Sequence, residues 1–337
     1  MAQLSLFELT RALVDIESIS GNELRVGEYL SEYLSELVQR HDGRLERMEV
    51  EPNRFNVLVH WGNPAVTLST HIDTVPPFFE SREDEEHIWG RGACDTKGII
   101  AAMIEACRGL LADGVRNFGM LFVVGEERNS TGAYHASRQN RGSKFLINGE
   151  PTENKLALAS KGVLRVELVA SGRMAHSAYP ELGESAIEKL LDAVARVRAI
   201  LLPSDGILGP STLNIGVISG GRAPNVIPDH AKAEIMIRLV DDGTSTRAAL
   251  RQAAGTQAEL KEVLAIPALH LGSLPGLETT VVAFTTDIPA LGPAWGKPYL
   301  LGPGTIHVAH TAEERVPKKQ LLEAVQIYKN MVRQLLQ

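Results

Sequence analysis

Residues 66–98 read VTLSTHIDTVPPFFESREDEEHIWGRGACDTKG. An apolar, β-branched run opens this stretch, and a glycine-rich turn near its end leads into a helical pattern at Gly98. His71 and Asp73 follow the apolar run two residues apart, so their side chains point to the same side of an extended backbone. Such a pair suits a metal site, because one nitrogen of His71 can bind the ion while Asp73 accepts the other N–H. Asp95 offers a second ligand from the next loop, although the pair alone is more often a solvated strand end.

The bulk composition is that of an ordinary globular protein. The 337 residues predict about two domains. The formal net charge of -7 argues against nucleic acid and anionic membranes as partners. Cys94 and Cys107 are too few for a disulfide framework or a thiolate zinc site. The N-terminus lacks the features of a signal peptide and no apolar run approaches the ~20 residues of a membrane span, so we predict a cytoplasmic protein.

Short apolar runs alternate with helical patterns along the first half of the chain. The runs at residues 66–70, 120–124 and 145–148 are typical of buried strands, and a helical pattern at residues 98–111 separates the first two. This alternation predicts an α/β fold with a mixed, mostly parallel sheet and helices on both faces. Open sheets of this kind bind ligands at the carboxyl ends of their strands. The residues of metal-ligating type that follow strand ends are His71, Asp73, Glu126, Glu127 and Glu150.

The pattern changes from residue 162 to residue 272. Strand, helix, strand, strand and helix follow one another there, which is typical of a small α+β domain. Buried-strand patterns return between residues 281 and 301, and residues 317–336 predict an amphipathic closing helix. We therefore predict that residues 1–161 and 273–337 build one metal-binding catalytic domain, with residues 162–272 inserted as a smaller domain.

Two acidic residues, Glu126 and Glu127, stand side by side after a strand. Neighbours in extended or turn backbone point in different directions, so one can hold a metal ion while the other faces the substrate. A free carboxylate beside a metal can remove a proton from the attacking water, as metal-assisted hydrolysis requires. An isolated Glu-Glu pair, in contrast, is more often a solvated turn.

Later in the chain, His307 and His310 add two imidazoles. One of them completes a mixed set of histidines and carboxylates, which suits two zinc ions with one bridging carboxylate. Manganese or cobalt can occupy the same ligands. The other members of the set are His71, Asp95, Glu127 and Glu150.

Five motifs carry a family resemblance. They are HIDTVP at 71–76, GRGACDTKG at 90–98, GEE at 125–127, GEPT at 149–152 and GPGTIHVAH at 302–310. In this order they resemble the M20 family of zinc aminoacylases and peptidases, and they span almost the whole chain. The family includes acetylornithine deacetylase, succinyl-diaminopimelate desuccinylase, aminoacylase and glutamate carboxypeptidase.

The resemblance implies a metal-ligating role for five residues. Asp95 bridges two metal ions. His71 and Glu150 complete one metal site, and Glu127 and His310 complete the other. The ions are expected to be Zn2+, with Co2+ or Mn2+ as alternatives.

Two more residues of the same motifs take catalytic roles by resemblance. Asp73 orients His71, and Glu126 is the general base that generates a metal-bound hydroxide nucleophile. The metal-binding histidine of the family follows an alanine, which selects His310 and leaves His307 as a pocket or surface residue.

This sequence departs from the family pattern in two places. Thr96 stands where methionine or alanine usually follows the bridging aspartate, and residues 128–132 are less rich in glycine than usual. Neither change removes a ligand, so both bear on the substrate more than on the chemistry. The resemblance also implies a cis peptide bond between Asp95 and Thr96.

The inserted segment resembles the lid and dimerisation domain of the family. His176 lies in a segment, residues 172–177, similar to one whose histidine reaches the partner subunit's active site. That histidine is expected to donate a hydrogen bond to the oxyanion, together with Asn225. Arg238 is expected to grip the substrate carboxylate, and Gly304 completes the substrate-binding set. A homodimer with composite sites follows from this resemblance.

The resemblance implies an amidohydrolase that cleaves the amide bond of an N-acyl amino acid with a free carboxylate, and acetylornithine deacetylase is its nearest model. Alternatives within the family are a dipeptidase or carboxypeptidase, or a deacylase of the lysine pathway. A non-catalytic metal-binding protein on the same fold would be expected to lack the base or a ligand, and none is lacking here. A paired-metal phosphoesterase would need more basic residues than Arg91, Lys97 and Arg128 near the metals.

Overall fold

The computed structural model describes residues 3–139 and 141–337, which divide into two compact units. The first unit contains the residues up to Leu158, Leu271–Thr280 and Thr286–Gln337, and the second contains Ala159–His270 and Val281–Thr285. The predicted inserted segment, residues 162–272, differs from these bounds at both ends and omits Val281–Thr285. Its role in dimerisation stays a prediction.

The helices have bounds that local sequence explains. They are α1 (Leu6–Val14), α2 (Leu24–Arg40), α3 (Gly98–Ala112), α4 (Thr131–Ala136), α5 (Ala186–Arg198), α6 (Thr244–Ala254), α7 (Ile288–Leu291) and α8 (Lys318–Leu335). Ser5 caps α1 and forms a capping box with Glu8. Helix α3 is buried on nearly all sides, as its almost wholly apolar sequence requires. No helix among the described residues is long and apolar enough to cross a membrane.

The strands form two larger sheets and several short pairings. The strands of the larger sheets are β1 (Arg44–Glu51), β2 (Arg54–Trp61), β3 (Val66–His71), β4 (Phe118–Val123), β5 (Phe145–Asn148), β6 (Gly162–Ser171), β7 (Thr212–Gly220), β8 (His230–Leu239), β9 (Glu259–Ile266) and β10 (Lys297–Leu300). The shorter strands are Arg82–Glu83, His87–Trp89, Leu156–Ser160, Ala175–His176, Ser204–Asp205, Gly209–Pro210, Val226–Ile227, Leu269–His270, Thr279–Val282 and Arg315–Pro317.

The sheet of the first unit has the order β1-β2-β4-β3-β5-β10. Strands β4, β3, β5 and β10 run parallel, and β1 and β2 add an antiparallel hairpin at one edge. Strands β3 and β4 are buried along their whole length, because elements cover both faces of a parallel sheet. The predicted α/β class with a mixed, mostly parallel sheet is confirmed. Its carboxyl edge collects the loops that follow β3, β4, β5 and β10.

The second unit is built on an antiparallel sheet with the order β7-β8-β6-β9. Buried and more exposed residues alternate along β8, so one face of the sheet enters a core and the other does not. Helices α5 and α6 supply the rest of that core. Strand β7 is mostly exposed and lies at the edge of the sheet.

The structure differs from the sequence patterns around residues 281–301. Only Thr279–Val282 and Lys297–Leu300 are strands there, and Thr286 and Asp287 lead into the short helix α7. Asp287 is buried although its side chain carries a carboxyl group.

Candidate metal centre

The predicted metal ligands lie at the end of one strand and in four other segments of the first unit. His71 is the last residue of β3, Glu127 follows β4, Glu150 follows β5, and His310 lies in the loop beyond β10. Asp95 projects from the irregular segment Ala93–Lys97, which precedes α3. His71, Glu127 and Glu150 therefore lie at or just beyond the carboxyl end of a parallel strand, as the sequence predicts, and His310 lies farther along the loop after β10.

Each carboxylate oxygen of Asp95 faces a different histidine. The Nε2 atom of His71 lies 3.0 Å from Oδ1 of Asp95, and Nε2 of His310 lies 3.3 Å from Oδ2. The same Nε2 of His310 lies 3.0 Å from Oε1 of Glu127. Asp95 thus stands between two imidazoles, which is the arrangement expected of a carboxylate that bridges two metal ions.

The backbone next to Asp95 has features that hold this loop. The peptide bond between Asp95 and Thr96 is cis, as the resemblance implies. The hydroxyl of Thr96 donates to the carbonyl of His71 at 2.7 Å and accepts from the Thr70 hydroxyl at 2.9 Å. The unusual threonine therefore joins the loop of Asp95 to the end of β3.

The second nitrogen of His71 is fixed by Asp73, mainly through the backbone. Its Nδ1 atom lies 3.0 Å from the carbonyl oxygen of Asp73 and 3.5 Å from the carboxylate. Both partners are acceptors, so the ring proton belongs on Nδ1 and Nε2 remains for an ion.

The carboxylate of Asp73 has a second task that the sequence does not reveal. It accepts hydrogen bonds from the N–H groups of Gly125 (3.0 Å), Glu126 (3.1 Å) and Glu127 (3.2 Å), and from the Ser20 hydroxyl (2.6 Å). Asp73 therefore anchors the loop that presents the base and one metal ligand. No residue type near Ser20 signals this contact in advance.

The donor set fits metal ions. His71, Asp95 and Glu127 each offer one ligand atom, and these atoms lie within 4.8 Å of one another. The Oε1 atom of Glu150 is buried and has no hydrogen-bond partner among the described residues. A buried carboxylate oxygen without a partner is costly unless a cation or a proton satisfies it. Imidazole nitrogen together with carboxylate oxygen is a typical zinc donor set.

The contacts between histidines and carboxylates shift their pKa values. Hydrogen bonds to Asp95 and Glu127 raise the pKa of His310 to about 10. Burial lowers the pKa of His71, but Asp73 and Asp95 outweigh it and hold that pKa well above its usual range. Burial would raise the pKa of Asp95, and His310 and His71 keep it below its usual range instead. A ligating histidine must be neutral, so metal ions compete with these protons.

The other carboxyls of the centre shift in the opposite direction. Burial raises the pKa of Glu126 well above its usual range, and although His71 opposes this, Glu150 and Asp287 add to it. Burial likewise raises the pKa of Glu150 well above its usual range and that of Asp287 to about 7. A bound cation favours the charged forms and would reverse these shifts.

Gly304 and His307 belong to the same loop as His310 but are not among the predicted metal ligands. Gly304 has a φ of 89°, and a Cβ atom there would lie 2.5 Å from Sγ of Cys94, so only glycine fits against this loop. Its N–H donates to the Gln320 side chain at 2.7 Å. His307 is exposed. Contact of Gly304 with substrate stays a prediction.

Comparison with known proteins identifies the family. The model of Peptidase family M20/M25/M40 matches residues 67–334, which include every predicted metal ligand. The chain belongs to this family. It is therefore a metal-dependent hydrolase of peptide or related amide bonds, and the predicted enzyme class is confirmed.

Curated relatives of this M20 chain are similar over nearly its whole length. A peptidase M20 domain-containing protein of Schizosaccharomyces pombe is 40% identical over 338 residues, which cover 97% of this chain and 84% of the relative. A probable carboxypeptidase of Aspergillus clavatus is 37% identical over 375 residues, which cover 97% of this chain and 82% of the relative.

Solved structures share the fold at low sequence identity. The aminopeptidase PepT of Bacillus cereus is 18% identical with a TM-score of 0.81, and the match covers 98% of both chains. The YXEP protein of Bacillus subtilis, described as a dinuclear metal binding peptidase from the M20 family, is 18% identical with a TM-score of 0.70. That match covers 98% of this chain and 97% of the other. The predicted M20 fold is confirmed.

Two of the predicted M20 substrate residues lie side by side in the second unit. His176 ends a short strand that pairs with Val226–Ile227, and the Ser177 N–H donates to the Asn225 carbonyl at 3.0 Å. Nδ1 of His176 accepts the N–H of Ala178 at 3.1 Å, which leaves the ring proton on Nε2. Because the side chain is exposed, this Nε2–H is available as a donor.

Arg238 lies in β8, one of the two middle strands of the second unit's sheet, opposite Thr212 of the edge strand β7. Its side chain is partly buried, and it makes no hydrogen bond or ion pair with another described residue. A half-buried guanidinium without a partner is suited to bind a carboxylate.

Proposed function

We propose that this chain is a two-metal amide hydrolase that removes the C-terminal residue of a short peptide, or the acyl group of an N-acyl amino acid, next to a free carboxylate. The position of Asp95 carries the proposal. One of its carboxylate oxygens lies next to His71 and the other next to His310, whereas a site for a single ion would need only one of these oxygens. The ions proposed are Zn2+, with Co2+ or Mn2+ as alternatives.

The metal ligands divide into two groups around Asp95. His71 and Glu150 would hold one ion, and Glu127 and His310 would hold the other. The ions, when bound, polarise the amide carbonyl and acidify the attacking water.

Glu126 acts as the general base in this scheme. It would take a proton from the attacking water and pass it to the leaving amine. Asp73 keeps Glu126 in place through the backbone N–H contacts of the loop.

Residues of the second unit would bind the substrate and the oxyanion. His176, with its free Nε2–H, would donate to the oxyanion of the tetrahedral intermediate, and Asn225 lies beside it. Arg238 would bind the substrate carboxylate. By resemblance these groups come from the partner of a homodimer, which makes each site composite. A cytoplasmic location also stays a prediction.

Short peptides are the first candidate substrates. The 37% identical relative named as a probable carboxypeptidase supports peptide substrates. Acetylornithine-deacetylase-like action is the second candidate, because the motif set resembles that branch as well, and a lysine-pathway deacylase is a further alternative in the family.

A substrate panel tests the proposal. The metal-loaded protein would be assayed against dipeptides, tripeptides, N-acetyl amino acids including N-acetylornithine, and the same compounds with an amidated carboxyl group. We expect turnover of at least one free-carboxylate compound, and loss of that turnover on amidation and in Glu126→Gln. Turnover of amidated substrates at an equal rate would contradict the assignment of a carboxylate-dependent enzyme.

A further inference from the structure

Glu314 is a buried carboxylate that reaches the loop of the bridging aspartate. It is 1% exposed and lies four residues beyond His310, at the end of the same loop. Its Oε1 atom accepts the N–H groups of Asp95 at 3.2 Å and of Cys94 at 3.3 Å. One side chain therefore connects the backbone of Asp95 to the segment that carries His310.

The other oxygen of Glu314 is occupied by Arg91. The guanidinium donates to Oε2, is 2% exposed, and donates from Nε to the carbonyl of Pro77 at 3.1 Å. It also lies over the ring of Phe79, 5.0 Å from the centroid. These contacts leave the carboxylate no freedom to turn, because each oxygen already has a fixed donor.

The two halves of the metal centre differ in how they are held. His71 and Glu150 follow β3 and β5, which are paired in the parallel sheet. His310, in contrast, is 49% exposed in a loop, and its residue has a φ of 63°. The position of His310 relative to Asp95 thus depends on the contacts between the two loops. Glu314 makes two of them, beside the contact of the Cys94 thiol with the Thr305 carbonyl at 3.4 Å.

We propose that Glu314 is a positioning residue that fixes Asp95 against His310 and so sets the affinity of the metal site that Glu127 and His310 complete. The inference rests on the two-metal centre of the proposed function. Residues that orient a metal ligand typically change metal affinity by about 10–100-fold when they are removed. Loss of Glu314 is therefore expected to weaken one site by this factor and to leave the His71 and Glu150 site occupied.

Two variants separate the N–H contacts from the ion pair. Glu314→Ala removes the acceptor for both N–H groups and the partner of Arg91. The double variant Arg91→Met with Glu314→Gln has no ion pair, but the amide oxygen of the glutamine is free to accept the two N–H groups. The single variant Glu314→Gln is intermediate, because one amide oxygen cannot serve Arg91 and the N–H groups together. Glu46→Ala, which breaks a surface ion pair with Arg141 in the same unit, is the control.

The measurement is a Zn2+ titration of the metal-free full-length proteins, with metal content counted per chain and folding checked by circular dichroism. We expect two ions in the wild type and in Glu46→Ala. Glu314→Ala should keep one tight ion and bind the second about tenfold or more weakly, and the double variant should recover most of that loss. If Glu314→Ala does not fold, Glu314→Gln against the double variant gives the same comparison.

Three results would overturn the inference. The first is a Glu314→Ala protein in which both sites keep their Zn2+ affinity. The second is an equal loss of Zn2+ affinity at both sites of that variant. The third is a double variant whose second site binds Zn2+ as weakly as that of Glu314→Ala. A wild-type protein that binds a single ion would contradict the two-metal proposal itself, and this outcome is visible before any variant is compared.

Discussion

The carboxylate of Asp73 accepts the main-chain N–H of Glu126 at 3.1 Å. The residue expected to orient a metal-binding histidine therefore also holds the base in place. The shortest contact from Asp73 to His71 is made by its backbone carbonyl, so its carboxylate serves mainly the loop of Glu126 and Glu127. This relationship leads to the first prediction.

Asp73→Asn should lower kcat by about tenfold or more while the metals stay bound. An amide has one acceptor oxygen in place of two, so it cannot hold all the N–H groups of residues 125–127 and the Ser20 hydroxyl. Steady-state kinetics together with metal content would check this. Ser20→Ala removes only one of the donors and should change kcat far less. Normal kcat in Asp73→Asn would show that the loop contacts do not matter to catalysis. A loss of kcat explained entirely by lost metal would show that Asp73 acts through metal binding and not by holding Glu126.

Glu126→Gln should keep its metals and lose kcat by about a hundredfold or more. The amide fills the same space but cannot take the proton from the attacking water. Single-turnover rates and metal analysis of the purified variant are the measurements. A Glu126→Gln protein that loses metal but keeps its base function would mean that Glu126 is the metal ligand and Glu127 the base.

Metal affinity should rise with pH over the range in which His310 is protonated in the metal-free chain. The pKa of His310 is raised from 6.5 to about 10, so at neutral pH an incoming ion must expel its proton. The same shift makes the stability of the metal-free fold depend on pH. The contribution of protonated His310 is complete below the pKa that this residue has in the unfolded chain, and it is lost as the pH rises through the pKa in the folded chain. Competition with a chelator between about pH 6 and 9 would measure the slope. His310→Ala should bind metal more weakly and with a flatter slope, and an unchanged slope would contradict the protonation assigned to His310.

Mixed dimers test whether His176 acts across a subunit interface. His176→Ala and Glu126→Ala subunits should each be inactive alone and should regain activity after mixing and exchange, because one site of the mixed dimer then has both residues. Activity of each single variant is the baseline. A fully active monomer, or no recovery after verified subunit exchange, would show that His176 does not act in the partner's site.

The sequence predicts the positions of three candidate ligands relative to the sheet, because these residues stand at strand ends. His71, Glu127 and Glu150 each stand just beyond a buried run, and buried runs are visible in sequence because both faces of the parallel sheet are covered. The cis peptide bond at Asp95 follows from the resemblance alone, since no propensity of Asp or Thr indicates it.

The residues that the sequence analysis misses act through long-range contacts. Glu314 lies in the charged run Glu313-Glu314-Arg315, which resembles a solvated turn, and its partners Cys94 and Asp95 are more than 200 residues away. Hydrogen bonds to backbone N–H groups place no demand on the partner's side chain, so they leave no pattern. Asp287 is hidden in the same way, because its segment resembles a strand, yet both of its carboxyl oxygens are buried.

Metal counting of the active protein tests the central claim most directly. Elemental analysis of the wild type, before and after chelation, would be combined with activity on the best compound of the substrate panel. We predict two ions per chain, loss of activity when they are removed, and recovery when Zn2+ is added back. A demonstrably metal-free protein with full turnover would contradict the account.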